Sequence, residues 1–258
     1  MSFNIIEKAI KDNNIDIFNL ELNNLNDINL QNTNGDTLLN VAISHNRINM
    51  VEILLKRGVN PNIKNNKGFT SLMYTIKITN LNMIELLVSH GADIKYTFKF
   101  IYDDSYTWLY FAVDRNHIDI VKFLLKHGAN PNSTNKDGRT PLSCVMYDYK
   151  PNIHIIYLLL KHRANPNKQD SDGSTPLHIS VENNNIKITE LLLKHGGDPN
   201  IKNNKGETSL HLAIHTLNKS KKKTNNNESI NMMINLLLSY GANADIKNKK
   251  TNHVHNFC

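Results

Sequence analysis

Apolar residues fall in short clusters along the chain, and the clusters come in pairs. Leu177, Ile179 and Val181 form one cluster, and Ile186, Ile188, Leu191 and Leu192 form the next, with a polar run between them. This spacing predicts a short helix, a turn and a second helix. One such pair cannot bury both of its apolar faces, so neighbouring pairs must stack. Thr175 offers a hydroxyl to cap the first helix, and Pro176 suits the first helical position, where its missing N–H costs nothing. Gly196 follows the second helix, where a left-handed residue ends it cheaply, and Lys194 and His195 sit at the negative helix end. Asn-Pro-Asn and Asp-Gly steps between pairs are turn formers, so each unit is expected to end in a hairpin-like finger.

The pattern repeats. NNKGFTSL runs from Asn65, NKDGRTPL from Asn135, DSDGSTPL from Asp170 and NNKGETSL from Asn203, with an earlier TNGDTLL from Thr33. The shared threonine falls at Thr37, Thr70, Thr107, Thr140, Thr175 and Thr208, at intervals of 33, 37, 33, 35 and 33 residues. About twenty residues further on in each period comes a second motif: VEILLKRGVNPN from Val51, VKFLLKHGANPN from Val121, TELLLKHGGDPN from Thr189 and their kin. A period near 33 with TPL and LLLxxGAxxN elements resembles the ankyrin repeat, over nearly the whole chain from about Thr33 to Asn248. The resemblance implies an all-α solenoid of stacked helix–turn–helix units with hairpin fingers. It also implies a protein–protein interaction module rather than an enzyme, with a protein partner gripped on the fingers and the concave face. No cofactor or metal is expected, no membrane partner, and a monomer.

Six repeats are expected, at about 33–65, 66–98, 99–135, 136–170, 171–203 and 204–248. Residues 1–32 read as a diverged capping unit, with Ile5, Ile6, Ala9 and Ile10 forming one apolar stripe and Ile15, Ile17, Phe18 and Leu20 a second. The sixth repeat is interrupted by a polar stretch without periodicity, read as a loop insertion over 216–229 with 217–227 mobile. Residues 249–258 read as a flexible tail.

Shared positions hold a repeat fold together, and the differences between copies carry specificity. In the ankyrin family, contacts usually come from finger tips and the exposed side of the first helix. Those positions correspond here to Lys67, Phe69 and Lys77 in the second repeat and to Tyr106, Asp114 and Arg115 in the third. In the fourth they are Lys136, Arg139, Tyr147 and Asp148, followed by Glu182, Asn183, Lys205 and Glu207. The third repeat departs most. Its finger is four residues longer, it lacks GxTPL, and eight of the chain's 18 aromatic residues lie between Tyr96 and Phe111. Tyr96, Phe98, Phe100 and Tyr102 alternate with period two, a strand signal. Trp and Tyr bury large area at low entropy cost, which suits interface anchors. Trp108, Tyr110 and Phe111 have two readings, as packed first-helix residues or as partner contacts. The expected partner site centres on this finger, with Arg115, Arg139, Tyr147 and Tyr149 on the same side.

Composition changes this picture little. The net charge of +7 invites a nucleic-acid reading, but the excess is spread out apart from Lys219, Lys221, Lys222 and Lys223. A nuclear or nucleic-acid-associated factor using the basic cluster 219–223 is the rival reading, although no nucleic-acid-binding motif accompanies it. Two cysteines, Cys144 and Cys258, argue against a disulfide framework and fit a reducing compartment. Cys144 is expected as a small core residue. The N-terminus lacks the basic start and apolar core of a secretory signal, and no stretch reaches the roughly 18 apolar residues of a membrane span, so a cytoplasmic location is expected. His178 and His211 are expected to order the turn before the first helix. The recurring His90, His127, His162 and His195 fit helix ends better than a metal cluster. The tail motif with His253, His255 and Cys258 has zinc-ligand types but no fourth ligand. The 42 asparagines, with abundant Ile and Lys, read as the mark of an AT-rich genome. Ankyrin proteins of this flavour resemble those of poxviruses, other large DNA viruses and obligate intracellular bacteria such as rickettsiae, which implies a host-directed effector acting in the host cytoplasm. Many poxvirus members add a C-terminal F-box-like segment, which the short stretch after the last repeat is not expected to supply.

Overall fold

A computed structural model describes residues 2–75, 80–95, 98–99, 105–148, 150–220 and 228–249. The chain divides into two compact units, Met1–Phe98 and Lys99–Cys258. In the first, α1 (Ser2–Lys11), α2 (Ile15–Asn23), α3 (Leu38–Ser44), α4 (Ile48–Lys56), α5 (Ser71–Tyr74) and α6 (Leu81–Ser89) form three helix pairs. In the second, four pairs follow: α7 (Trp108–Asp114) with α8 (Ile118–Lys126), α9 (Pro141–Met146) with α10 (Ile153–Lys161), α11 (Pro176–Glu182) with α12 (Ile186–Lys194), and α13 (Ser209–Ser220) with α14 (Glu228–Ser239). Two short strands, β1 (Phe98–Lys99) and β2 (Ser105–Tyr106), pair with each other in this otherwise all-α fold; of the residues that carry the strand signal, Phe98 lies in β1, and Tyr96, Phe100 and Tyr102 lie outside the described residues.

Within the second unit, each first helix packs on its own second helix and on the first helix of the next pair, α7 on α9, α9 on α11 and α11 on α13. Second helices stack likewise, α8 on α10, α10 on α12 and α12 on α14. The first unit follows the same rule, α1 on α3 and α3 on α5. The core is therefore a row of layers. Leu177, Ile179, Val181, Ile188, Leu192 and Leu193 fill one of them.

The caps follow the sequence. Thr37, Thr107, Thr140 and Thr175 each accept a backbone N–H of the first helical turn through their side chains, whereas Thr70 does not. Thr107 caps α7 even though the GxTPL motif is missing. Gly196 has φ +85°, the left-handed conformation that glycine adopts without steric cost. Adjacent fingers approach closely: a Cβ on Gly173 would lie 2.6 Å from Asn204 Oδ1 and 2.7 Å from its backbone N. The backbone N–H of Asn204 donates to Asp172 O at 3.0 Å, and that of Ser171 to Asp137 O at 2.9 Å.

Two expectations need revision. In the capping unit, α2 buries Phe18 and Leu22, while Ile15, Ile17 and Leu20 are exposed. Successive helical residues are about 100° apart, so only the Phe18 and Leu22 face meets the core. Ile5 is also exposed, leaving Ile6, Ala9 and Ile10 as the buried face of α1. In the last pair, α13 continues through 216–220, where the polar composition reads as loop. No Gly or Pro stops the helix there, and Leu, Lys and Asn are tolerated in it. Glu228 and Ser229, also read as loop, open α14, and residues 221–227 lie outside the described residues.

Candidate functional site

The fourth repeat's finger is fixed by its own side chain. Asn135 Oδ1 accepts the backbone N–H groups of Asp137 and Arg139, each at 3.0 Å, which holds the turn closed. Its Nδ2 donates to Tyr110 Oη on α7 at 3.3 Å, tying the finger to the preceding first helix. The Arg139 guanidinium then lies 4.1 Å above the ring of Tyr147, at the end of α9. Tyr147 Oη donates to Asp170 Oδ2 at 2.9 Å in the next finger. Burial and the Asp170 carboxylate push the Tyr147 phenol up to about 12, so it stays a neutral donor. Tyr147 is nonetheless 46% exposed.

Asn135, Asp137, Arg139 and Tyr147 wall a groove of about 420 Å³, with Tyr110, Asp114, Cys144 and Asp148 on its other sides. Arg139 Nε is buried there with no hydrogen-bond partner among the described residues. Cys144 is half-buried and lines the groove, its Sγ 3.8 Å from Asp114 Oδ1, rather than sitting in the core as expected. Its place on the helix turns it across the stack, toward α7. Burial, chiefly, pushes its thiol up to about 12, so this thiol stays protonated near neutral pH. The groove offers an aromatic ring, a cation and carboxylates at its surface, which suit binding.

The remaining expected site residues scatter. Arg115 is exposed, 5.4 Å over the ring of Phe111 and 3.7 Å from Asp114, and does not line the groove. Trp108 is only 4% exposed, a first-helix residue in the core, and presents almost no surface to a partner. Phe69 is half-buried in a finger of the first unit. Phe98 and Tyr106 lie in β1 and β2, with side chains outside the described residues. Lys77, Tyr96, Phe100, Tyr102 and Tyr149 lie outside the described residues, as do Lys221, Lys222, Lys223 and the tail histidines. Tyr110, which had two readings, is a buried first-helix residue whose hydroxyl meets the groove, and Asn135 was not among the expected contacts. Asn135 occupies the finger position of Asn65, Asp170 and Asn203, and this periodicity is the signal for it.

Four of the recurring histidines make hydrogen bonds within the fold, whereas His162 buries its Nδ1 without such a partner among the described residues. His178 Nδ1 accepts from the Thr175 backbone N at 3.2 Å, and its Nε2 donates to Glu207 O at 3.1 Å in the next finger. His90, His127 and His195 each place Nδ1 2.9 Å from the carbonyl four residues back. Among the described residues no group of three or more His, Cys, Asp or Glu could hold a metal, and no helix is long and apolar enough to cross a membrane.

Comparison with known proteins agrees with this architecture. A family model for ankyrin repeats (three copies) matches residues 6–98 and 143–248, and one for many copies matches 109–147. An ankyrin repeat protein of fowlpox virus (strain NVSL) is 52% identical over 42 residues, which is 16% of this chain and 6% of that protein's length. An ankyrin repeat domain of Acinetobacter baumannii AYE superposes with a TM-score of 0.65 at 30% identity, over 74% of this chain and 97% of that one. The ankyrin repeat domain of Bcl-3, a member of the IkappaB protein family, has a TM-score of 0.68 at 21% identity, over 89% and 97%. Family models and Thr-capped helix pairs converge: the chain belongs to the ankyrin repeat family, whose repeats are protein–protein interaction modules and typically non-enzymatic.

Proposed function

We propose that the chain binds a partner protein and that the groove around Arg139 and Tyr147 is the centre of the site. The observation that carries this reading is the Arg139–Tyr147 stack, which stands half-exposed at the wall of a preformed groove. Tyr and Arg are enriched among the residues that dominate binding energy, because each supplies large contact area and directional donors from a preordered position. Asp114 and Asp148 at the groove give the charged rim such anchors need. The aromatic segment from Tyr96 to Tyr106 is proposed, on sequence grounds, as a further contact region. A host-cell protein is the proposed partner, supported by the local identity to the fowlpox protein and the AT-rich composition.

The test is affinity capture from a candidate host lysate with the wild type and an Arg139→Ala, Tyr147→Ala double variant. A protein recovered by the wild type should fall about tenfold or more in the variant, as for loss of two anchors, with the helical circular dichroism retained. Equal recovery by a folded variant would move the site elsewhere.

A further inference from the structure

The finger that carries Arg139 presents an unmatched donor and an unmatched acceptor on one turn. Asn135 Oδ1 holds the backbone N–H groups of both Asp137 and Arg139 at 3.0 Å, so the two side chains leave a closed, fixed backbone, and both line the groove. Arg139 Nε is buried and finds no acceptor among the described residues, while the guanidinium is held 4.1 Å over the Tyr147 ring. The Asp137 carboxylate makes no hydrogen bond or ion pair with the described residues; its backbone alone is engaged, the N–H by Asn135 and the carbonyl by Ser171 N at 2.9 Å. The groove's other carboxylates are committed, Asp114 to the Cys144 thiol and Arg115, Asp148 to the backbone N–H of Lys150 at 3.2 Å. Charged residues at the place of Arg139 in other fingers are satisfied within the fold: Asp36 accepts from Asn65 Nδ2 at 2.8 Å, and Glu207 from Asn203 Nδ2 at 3.4 Å.

A buried donor left without an acceptor is costly, more so when charged, so an occupant of the groove must first of all accept from Arg139 Nε. Lysine and arginine side chains have no acceptor and fail that requirement. Aspartate and glutamate accept, but three carboxylates, Asp114, Asp137 and Asp148, already line the groove against one guanidinium, and a further negative charge is repelled. An apolar side chain leaves both groups unmet. A hydroxyl has its donor and acceptor on one oxygen, whereas a carboxamide is neutral and sets an acceptor and two donors on separate atoms, able to meet groups on two side chains. We propose that the groove receives the side-chain amide of an asparagine or glutamine of the partner protein, its carbonyl oxygen accepting from Arg139 Nε and its NH2 donating to the Asp137 carboxylate. The Asn135 turn orders both groups before binding, which keeps the ordering cost low. The inference rests on the binding role proposed above and adds the chemistry of what binds.

The probe is an immobilised peptide library with randomised flanks and one fixed residue (Gln, Asn, Glu, Lys or Met), read with the labelled full chain. Wild type should be retained on the Gln or Asn pool about tenfold above the Glu, Lys and Met pools, as expected for a hydrogen bond to a charged group. Arg139→Lys keeps the positive charge but loses the planar donor fork, and should bring the amide pools down to the Met level. Asp137→Asn removes a repelling carboxylate and should lift the Glu pool toward the Gln pool. Circular dichroism of both variants checks that they fold as the wild type does. Wild-type retention on Glu, Lys or Met equal to that on the amide pools would overturn the inference, as would an amide preference unchanged in folded Arg139→Lys. If no amide preference is seen while Arg139→Ala, Tyr147→Ala still loses its captured protein, the docking role stands and this inference falls. If the amide preference holds and no host protein is captured, the amide site stands and the host partner falls.

Discussion

The asparagines carry more structure than their codon origin implies. Asn167 Nδ2 donates to Gly196 O at 2.9 Å, and its Oδ1 accepts the N–H of Asp198 at 2.8 Å, both in the next repeat. Asn200 makes the same pair of bonds to Gly241 and Asn243, Asn132 to Arg163 and Asn165, and Asn62 to Gly91 and Asp93. An amide carries donor and acceptor side by side, so one residue can satisfy both orphan groups left after a helix end. Composition hides this role, because the partners lie about one repeat away in sequence. The residue that ends each second helix is a further case. Gly58, Gly128, Gly196 and Gly241 all have positive φ, but the fourth repeat places Arg163 there, at φ 67°. Arg163→Gly should raise stability by roughly 1 kcal/mol, since the strain of a side chain in that region is of this order. Gly196→Val should lower it by about 1–2 kcal/mol, and for conformational reasons alone, because a Cβ there meets nothing within 4 Å. Urea denaturation of the two variants should shift the midpoint in opposite directions; shifts of the same sign would mean that backbone strain is not what separates them.

At the scale of the element, each first helix is clamped to its neighbour through its start. His178 completes a capping box with Thr175 and reaches across to Glu207 O. Burial lowers its pKa below the ordinary 6.5 despite the favourable Glu207 contact. Below pH 6.5 the unfolded chain takes up a proton that the folded chain resists. The stabilisation is therefore full above 6.5 and declines as pH falls through 6.5 toward the folded value. The stability gap between wild type and His178→Gln should be wide at about pH 7.5 and should narrow toward about pH 5; a gap independent of pH would show that His178 does not titrate on unfolding. The first helix of the fifth repeat, with its periodicity and threonine cap, was legible in the sequence down to its first residue, Pro176. The last turns of α13 were not, because their composition lacks an apolar face and only the absence of a helix breaker marks them. The groove was legible in part. Arg139, Tyr147 and Asp114 follow from their repeat positions, but that Arg139 stacks on Tyr147 depends on the Asn135 turn, a contact set by the fold. Trp108 illustrates the opposite limit: aromatic density flags a segment without telling which rings face inward.

On the scale of the whole molecule, a repeat array makes burial a matter of neighbours, and the same sequence position can be core in one repeat and surface in another. Leu193 and Leu238 occupy the same place in the second-helix motif, as do Leu55, Leu125 and Leu160. Leu193 is 4% exposed, between α12 and the following pair, whereas Leu238 on α14 is 45% exposed, with no further helix pair beyond it among the described residues. Removing a buried leucine loses its transfer energy and leaves a cavity, whereas removing a half-exposed one loses only part of the first term. Leu193→Ala should therefore cost about 3 kcal/mol, and Leu238→Ala roughly 1 kcal/mol or less. Chemical denaturation followed by circular dichroism measures both against the wild type. Comparable costs would mean that α14 is covered on its far side after all, and the reading of burial by neighbour would have to give way there.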